Sequence, residues 1–245
     1  MSTAAPEIVA VPAFSDNYIW LLRDPASGAV AVVDPGDGTA ALRAAEERGW
    51  RIGQVLTTHW HPDHTGGNLQ VKEATGCTIH GPAAERDRIP GIDEELREGD
   101  RVRVGQLEAE VWEVPGHTLG HIAFVFREAG FAFVGDTLFV MGCGRLFEGT
   151  PAQMHASLQR LGTLGADTRL YCAHEYTLGN ARFAAHAEPD NIAVRTRLTQ
   201  VEALRDAGAM TVPTTVAEEW ATNPFLRAKD VQELGSLRQA KDSFR

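Results

Sequence analysis

Within the six positions His59-Trp60-His61-Pro62-Asp63-His64 stand four side chains of the kind that bind metals, and core packing gives no reason to gather them. No other stretch constrains the chain so tightly. In an extended segment, residues two apart point the same way, so His59 and His61 can chelate one ion. Pro62 then turns the chain, and Asp63 and His64 beyond it can serve a second.

Further metal-type residues follow apolar, β-branched runs that read as strands. Val55–Thr58 delivers His59, Val111–Val114 followed by Pro115-Gly116 delivers His117, Phe131–Gly135 delivers Asp136, and Leu170–Ala173 delivers His174. Strand ends of this kind converge on one edge of a sheet, where loops build a site on a rigid support. The expected assignment is His59, His61 and His117 to one ion, Asp63, His64 and His174 to the other, and Asp136 bridging both. Imidazole and carboxylate ligands suit zinc, iron or manganese alike. His121 and Asp34 are expected to orient ligands by hydrogen bonds, against packing and a turn role respectively. His80, His155 and His186 have no metal-type spacing around them and read as structural.

The three cysteines, Cys77, Cys143 and Cys172, form no C-x-x-C pair and leave an odd count, which argues against a disulfide framework. With 43% hydrophobic and 23% charged residues, 245 residues suffice for one large globular domain with a small appendage. A net charge of −10 opposes nucleic-acid binding. No run approaches the ~18 apolar residues of a membrane span, and Met1-Ser2-Thr3-Ala4 begins nothing like a leader peptide, so a cytoplasmic monomer away from membranes is expected.

Strands are predicted over 18–22, 29–33, 54–56, 78–80, 108–114, 122–126, 131–134 and 169–172, with helices over 39–48, 67–75 and 151–161. Beyond about Thr177 the pattern turns helical, over 181–188, 191–207, 216–220 and 231–241, placing a boundary near 173–176. In that part Arg227, Lys229, Arg238, Lys241 and Arg245 stand against Asp230, Glu233 and Asp242, an excess of cations that by charge alone reads as a solvated helix face.

The block His59-x-His61-x-Asp63-His64, with His117, Asp136 and His174 in order, resembles the signature of the metallo-β-lactamase superfamily. That resemblance implies an α/β fold, an αββα sandwich over residues 1–174, followed by a small all-helical domain over 175–245. Phe14-Ser15-Asp16-Asn17-Tyr18, Gly135–Arg145, His174-Glu175-Tyr176-Thr177, Asn223-Pro224-Phe225-Leu226-Arg227 and Arg238–Phe244 resemble the glyoxalase II (hydroxyacylglutathione hydrolase) family nearly end to end. The implied activity is hydrolysis of S-(2-hydroxyacyl)glutathione, chiefly S-D-lactoylglutathione, to D-lactate and glutathione with two divalent ions, most simply Zn2+. Asp63 and Asp136 would also orient the attacking hydroxide. Arg145 and Phe147 would line the thiol side, Tyr176 would contact the peptide, and Arg238 with Lys241 would bind the glycine carboxylate. Arg145 stands where the family often has Lys and Phe147 where it often has Tyr, which removes a hydroxyl donor. Cys143 in the same loop reads as packing. Competing readings are a one-iron persulfide dioxygenase of the same fold and, from another class, a non-catalytic metal-binding protein.

Overall fold

The computed structural model describes residues 5–244, so Met1–Ala4 and Arg245 of the basic tail lie outside the described residues. In chain order the elements are β1 (Glu7–Ala13), β2 (Asn17–Arg23), β3 (Val30–Val33), α1 (Gly38–Glu46), β4 (Gln54–Leu56), α2 (Pro62–Thr65), α3 (Asn68–Thr75), β5 (Thr78–Pro82), a 3-10 turn (Ala83–Arg88), β6 (Glu94–Leu96), β7 (Arg101–Val104), β8 (Leu107–Glu113), β9 (Ile122–Phe126) and β10 (Phe131–Gly135). There follow β11 (Leu138–Phe139), β12 (Gly142–Cys143), α4 (Pro151–Leu161), β13 (Arg169–Cys172), α5 (Thr177–Ala187), α6 (Ile192–Asp206), β14 (Thr214–Thr215), α7 (Val216–Thr222) and α8 (Val231–Ser243). The contacts divide the chain into two compact units. The first runs to Glu113 and includes Gly120–Gly135; the second comprises Val114–Leu119 and Asp136 onward.

In the first unit, a sheet in the order β1-β2-β3-β4-β5-β6 is antiparallel through β3 and parallel from β3 to β6. Side chains alternate along its strands, and the two faces bury different partners. Ile19, Leu21, Val32, Val55 and Ile79 pack beneath Ala41, Ala44 and Ala45 of α1 and Val71 of α3. The opposite face meets a second sheet, whose strands β10-β9-β8-β7 are antiparallel neighbours. Trp20 reaches across to Phe133 with 6.5 Å between ring centroids, and Phe126, Phe131 and Phe133 form a buried aromatic cluster beside it.

The parallel pairing of β3 with β4 positions the metal-type loop. Val33 lies opposite Leu56, so both strands end at one edge and Asp34 N donates to Leu56 O at 3.1 Å. Pro62 opens the single turn α2. Two glycines permit the loops to close: a Cβ on Gly36 would stand 1.8 Å from Asp63 O, and one on Gly67 would stand 2.2 Å from Gly38 N.

The second unit is chiefly helical. Phe183 of α5 packs against Phe225 (5.7 Å) and Phe244 (5.5 Å), and β13 pairs antiparallel with the two-residue β14. Among the described residues no helix is long and apolar enough to cross a membrane. The basic tail is not one cluster: Arg227 pairs with Glu188 and donates to Trp220 O at 2.8 Å, while Arg238 is buried.

Candidate active site

In the first unit, His59, His61, Asp63 and His64 come together at the end of β4. The bonds around them decide which ring nitrogen is free. Asp34, at φ +50°, accepts Thr58 N on Oδ1 (2.8 Å) and the Thr58 hydroxyl on Oδ2 (2.7 Å). Having donated its only proton, the Thr58 hydroxyl must accept from His59 Nδ1 at 3.0 Å. His59 Nε2 therefore keeps its lone pair, and it stands 3.0 Å from His61 Nδ1. Asp34 Oδ2 likewise takes His64 Nδ1 at 3.2 Å, which turns His64 Nε2 toward Asp63 Oδ2, 3.4 Å away. Asp34 thus carries the orienting role expected of it. His121, fully buried, stacks on His59 at 4.6 Å and 20°.

In the second unit, Asp136 Oδ2 lies 3.4 Å from His117 Nε2 and 3.4 Å from His174 Nε2. His117 Nδ1 donates to Arg145 O at 2.9 Å, since a carbonyl can only accept, so in the neutral ring the lone pair lies on Nε2. These separations fit a metal. Donors at about 2.0–2.2 Å from one tetrahedral ion stand roughly 3.3–3.5 Å from one another, and three carboxylate–imidazole pairs are spaced at 3.4 Å. The donor set of imidazoles and carboxylates, with His59, His64 and His117 each bonded to protein through Nδ1, suits a divalent cation.

The substrate-side candidates fall in the second unit. Phe147, 62% exposed, meets His117 edge-on at 5.3 Å, and Tyr176, 42% exposed, stacks on His174 at 4.6 Å and 5°. Arg238 is not open to solvent. Its Nη1 donates to Cys143 O at 2.8 Å, and its Nε and Nη2 go to Asp242 Oδ1 at 3.2 and 2.8 Å. The exposed Arg145 is 3.9 Å from the same Asp242 oxygen. Lys241 donates to Gly179 O at 3.2 Å, and burial, then Arg238 and Arg145, hold its ammonium below the ordinary lysine range. Three cations thus surround one carboxylate, an arrangement that attracts an anion. Cys143 is no nucleophile: burial pushes its thiol up to about 11.

Two residues to which the sequence assigns no role hold the metal-type loop. Asn17 Nδ2 donates to Asp63 Oδ2 (3.0 Å) and Asp63 O (3.3 Å), and the buried Glu85 accepts Trp60 N (2.8 Å) and Gly120 N (3.0 Å). Neither carries a spacing signal, because each acts across more than twenty residues of sequence. His155 Nε2 donates to Ala228 O (3.0 Å), since a carbonyl can only accept, and that bond is structural.

A family model described as "Metallo-beta-lactamase superfamily" matches residues 14–174, and one described as "Hydroxyacylglutathione hydrolase C-terminus" matches residues 175–244. A protein of Methylococcus capsulatus named hydroxyacylglutathione hydrolase is 51% identical, covering 98% of this chain and 99% of that one. Another of that name from Rhodospirillum rubrum is 53% identical over 95% of this chain and 91% of its own. Among solved structures, ETHE1 from Myxococcus xanthus matches with a TM-score of 0.74 at 26% identity, over 96% of this chain and 90% of that one. TTHA1623 in a di-iron-bound form matches with a TM-score of 0.63 at 26% identity, over 89% and 99%.

Proposed function

The chain belongs to the hydroxyacylglutathione hydrolase family of the metallo-β-lactamase superfamily, and we propose on that premise that it hydrolyses S-(2-hydroxyacyl)glutathione, chiefly S-D-lactoylglutathione, to the hydroxy acid and glutathione. The observation that carries this reading is coverage. Relatives of that name match nearly the whole chain, including the C-terminal region that holds Arg238 and Lys241.

On this reading His59, His61 and His117 would hold one divalent ion, Asp63, His64 and His174 would hold a second, and Asp136 would serve both, with zinc the first candidate. Such ions, when bound, supply Lewis acidity and acidify water toward neutrality. The residues of the chain do the rest. Asp34 and Thr58 fix the tautomers of His64 and His59, and the Arg145 carbonyl fixes that of His117, so that the donor nitrogens are set before substrate arrives. Asp63 and Asp136 accept hydrogen bonds from the attacking water and orient it toward the thioester carbonyl. The water oxygen bonds to the thioester carbon as it gives up a proton to solvent, the C–S bond breaks to release a thiolate, and with a thiol pKa of about 8.5 no strong general acid is needed. Arg145 and Phe147 would line the thiol side, Tyr176 would contact the peptide, and Lys241, with Arg238 held beside it on Cys143 O and Asp242, would meet the glycine carboxylate.

The test is steady-state kinetics with paired metal analysis. The native enzyme is expected to turn over S-D-lactoylglutathione and to lose about tenfold or more in kcat/KM with a thioester lacking the glycine carboxylate. Asp136→Ala is expected to abolish turnover and lower bound metal. Full metal loading without turnover supports a metal-binding protein instead, and one iron with oxygen uptake supports the dioxygenase.

A further inference from the structure

The hairpin of β11 and β12 is gripped by its backbone over five consecutive residues, in each case by a side chain from farther along the chain. Phe139 O accepts from Asn223 Nδ2 (3.4 Å) and Val140 O from Asn180 Nδ2 (3.2 Å). Met141 N donates to Glu219 Oε2 (2.9 Å), Gly142 O accepts from Asn223 Nδ2 (2.9 Å), and Cys143 O accepts from Arg238 Nη1 (2.8 Å). Glu219 and Asn223 also join each other at 2.8 Å, and the second Glu219 oxygen takes the Thr214 hydroxyl at 2.8 Å. Phe225 N donates to Asn223 Oδ1 at 3.0 Å, which fixes the orientation of the amide. Both Glu219 and Asn223 are fully buried.

A buried carboxylate is costly to keep unless its bonds are needed, and hydrolysis uses none of these. The turn itself is constrained: Met141 sits at φ +59°, and a Cβ on Gly142 would stand 2.5 Å from Asn180 Nδ2. On one side of this turn lies Asp136, facing His117 and His174. On the other lie Arg145, whose carbonyl orients His117, and Phe147, packed on the same ring.

We propose that Glu219 and Asn223 are positioning residues that, through the backbone of Phe139–Cys143, set Arg145 and Phe147 to receive the glutathione part of the substrate; this rests on the hydrolase reading above. The full-length, metal-loaded protein tests it. Glu219→Leu removes both acceptors and is expected to raise KM for S-D-lactoylglutathione and the inhibition constant of S-hexylglutathione about tenfold, with kcat within roughly threefold and metal content unchanged. Glu219→Gln is expected to restore KM to within about twofold, because its amide oxygen still accepts Met141 N–H and its NH2 group can donate to Thr214. Loss confined to kcat, the mark of a smaller folded fraction, overturns the proposal, as does a Gln variant no better than Leu. Should Glu219→Leu fail to fold, Asn223→Ala carries the same expectation, and a native KM there overturns it. Amide exchange over 139–147, read without any substrate, is expected to quicken in these variants; unchanged exchange removes the clamp. A native enzyme inert toward glutathione thioesters sinks the hydrolase reading, while the exchange result judges the clamp separately.

Discussion

Asp34 divides two oxygens among three donors: Thr58 N, the Thr58 hydroxyl and His64 Nδ1. Through them it governs two imidazoles, one directly and one by relay. Removing it frees His59 and His64 to rotate and to change tautomer while leaving every proposed ligand in the chain. Asp34→Ala is therefore expected to weaken metal binding by about 10–100-fold, read by competition with a chelator, and native affinity in a folded variant would discard the orienting role. The residue type at 34 was legible in sequence as a candidate. Its bonds were not, since Val33-Asp34-Pro35-Gly36 reads equally well as a turn. Arg238 shows the converse. Its charge reads as a solvated face and the family resemblance implies a carboxylate ligand; the structure finds it buried and bonded to Cys143 O and Asp242.

Strands and helices with long or strongly patterned signals are legible in the sequence. Ile122–Phe126, Arg169–Cys172 and Pro151–Leu161 fall where periodicity places them. β1 escaped because Glu7–Ala13 interrupts its alternation with Pro12 and small residues, as an edge strand tolerates. β6, β11, β12 and β14 span two or three residues each, too few for any period to register. Helix α4 carries its own start signal: the Thr150 hydroxyl accepts Gln153 N, the Gln153 side chain returns to Thr150 N, and Pro151 occupies the first turn. Thr150→Ala is expected to cost about 1 kcal/mol, measured as a shift in urea midpoint at constant slope. A change below a few tenths would mean the box adds nothing beyond the packing of the helix.

Across the whole molecule, Glu219 couples stability to pH. Burial raises its acid from 4.5 to about 7, against hydrogen bonds from Thr214, Asn223 and Met141 that lower it, with Arg197 a further lowering influence. The native state therefore binds this proton more tightly than the unfolded chain. The stabilisation is fully present below about pH 4.5 and is lost as pH rises through about 7, to an extent on the order of 3 kcal/mol. Denaturation of native and Glu219→Gln proteins from pH 5 to 8 is expected to show the native curve falling relative to the variant until about pH 7 and running parallel above it. Parallel curves throughout would show that the group does not titrate in that window. The sequence by itself determined the metal-type donors, the α/β class and the family, because these rest on residue identity and on spacing within a few positions. Only the tertiary structure decided which imidazole nitrogen faces a ligand partner, that Asp136 stands equally far from His117 and His174, and that Glu219 and Asn223 hold a hairpin some eighty residues earlier. Those outcomes depend on hydrogen-bond satisfaction in a buried, low-dielectric interior, where every donor must find an acceptor across the fold, and no local pattern in the chain records that pairing.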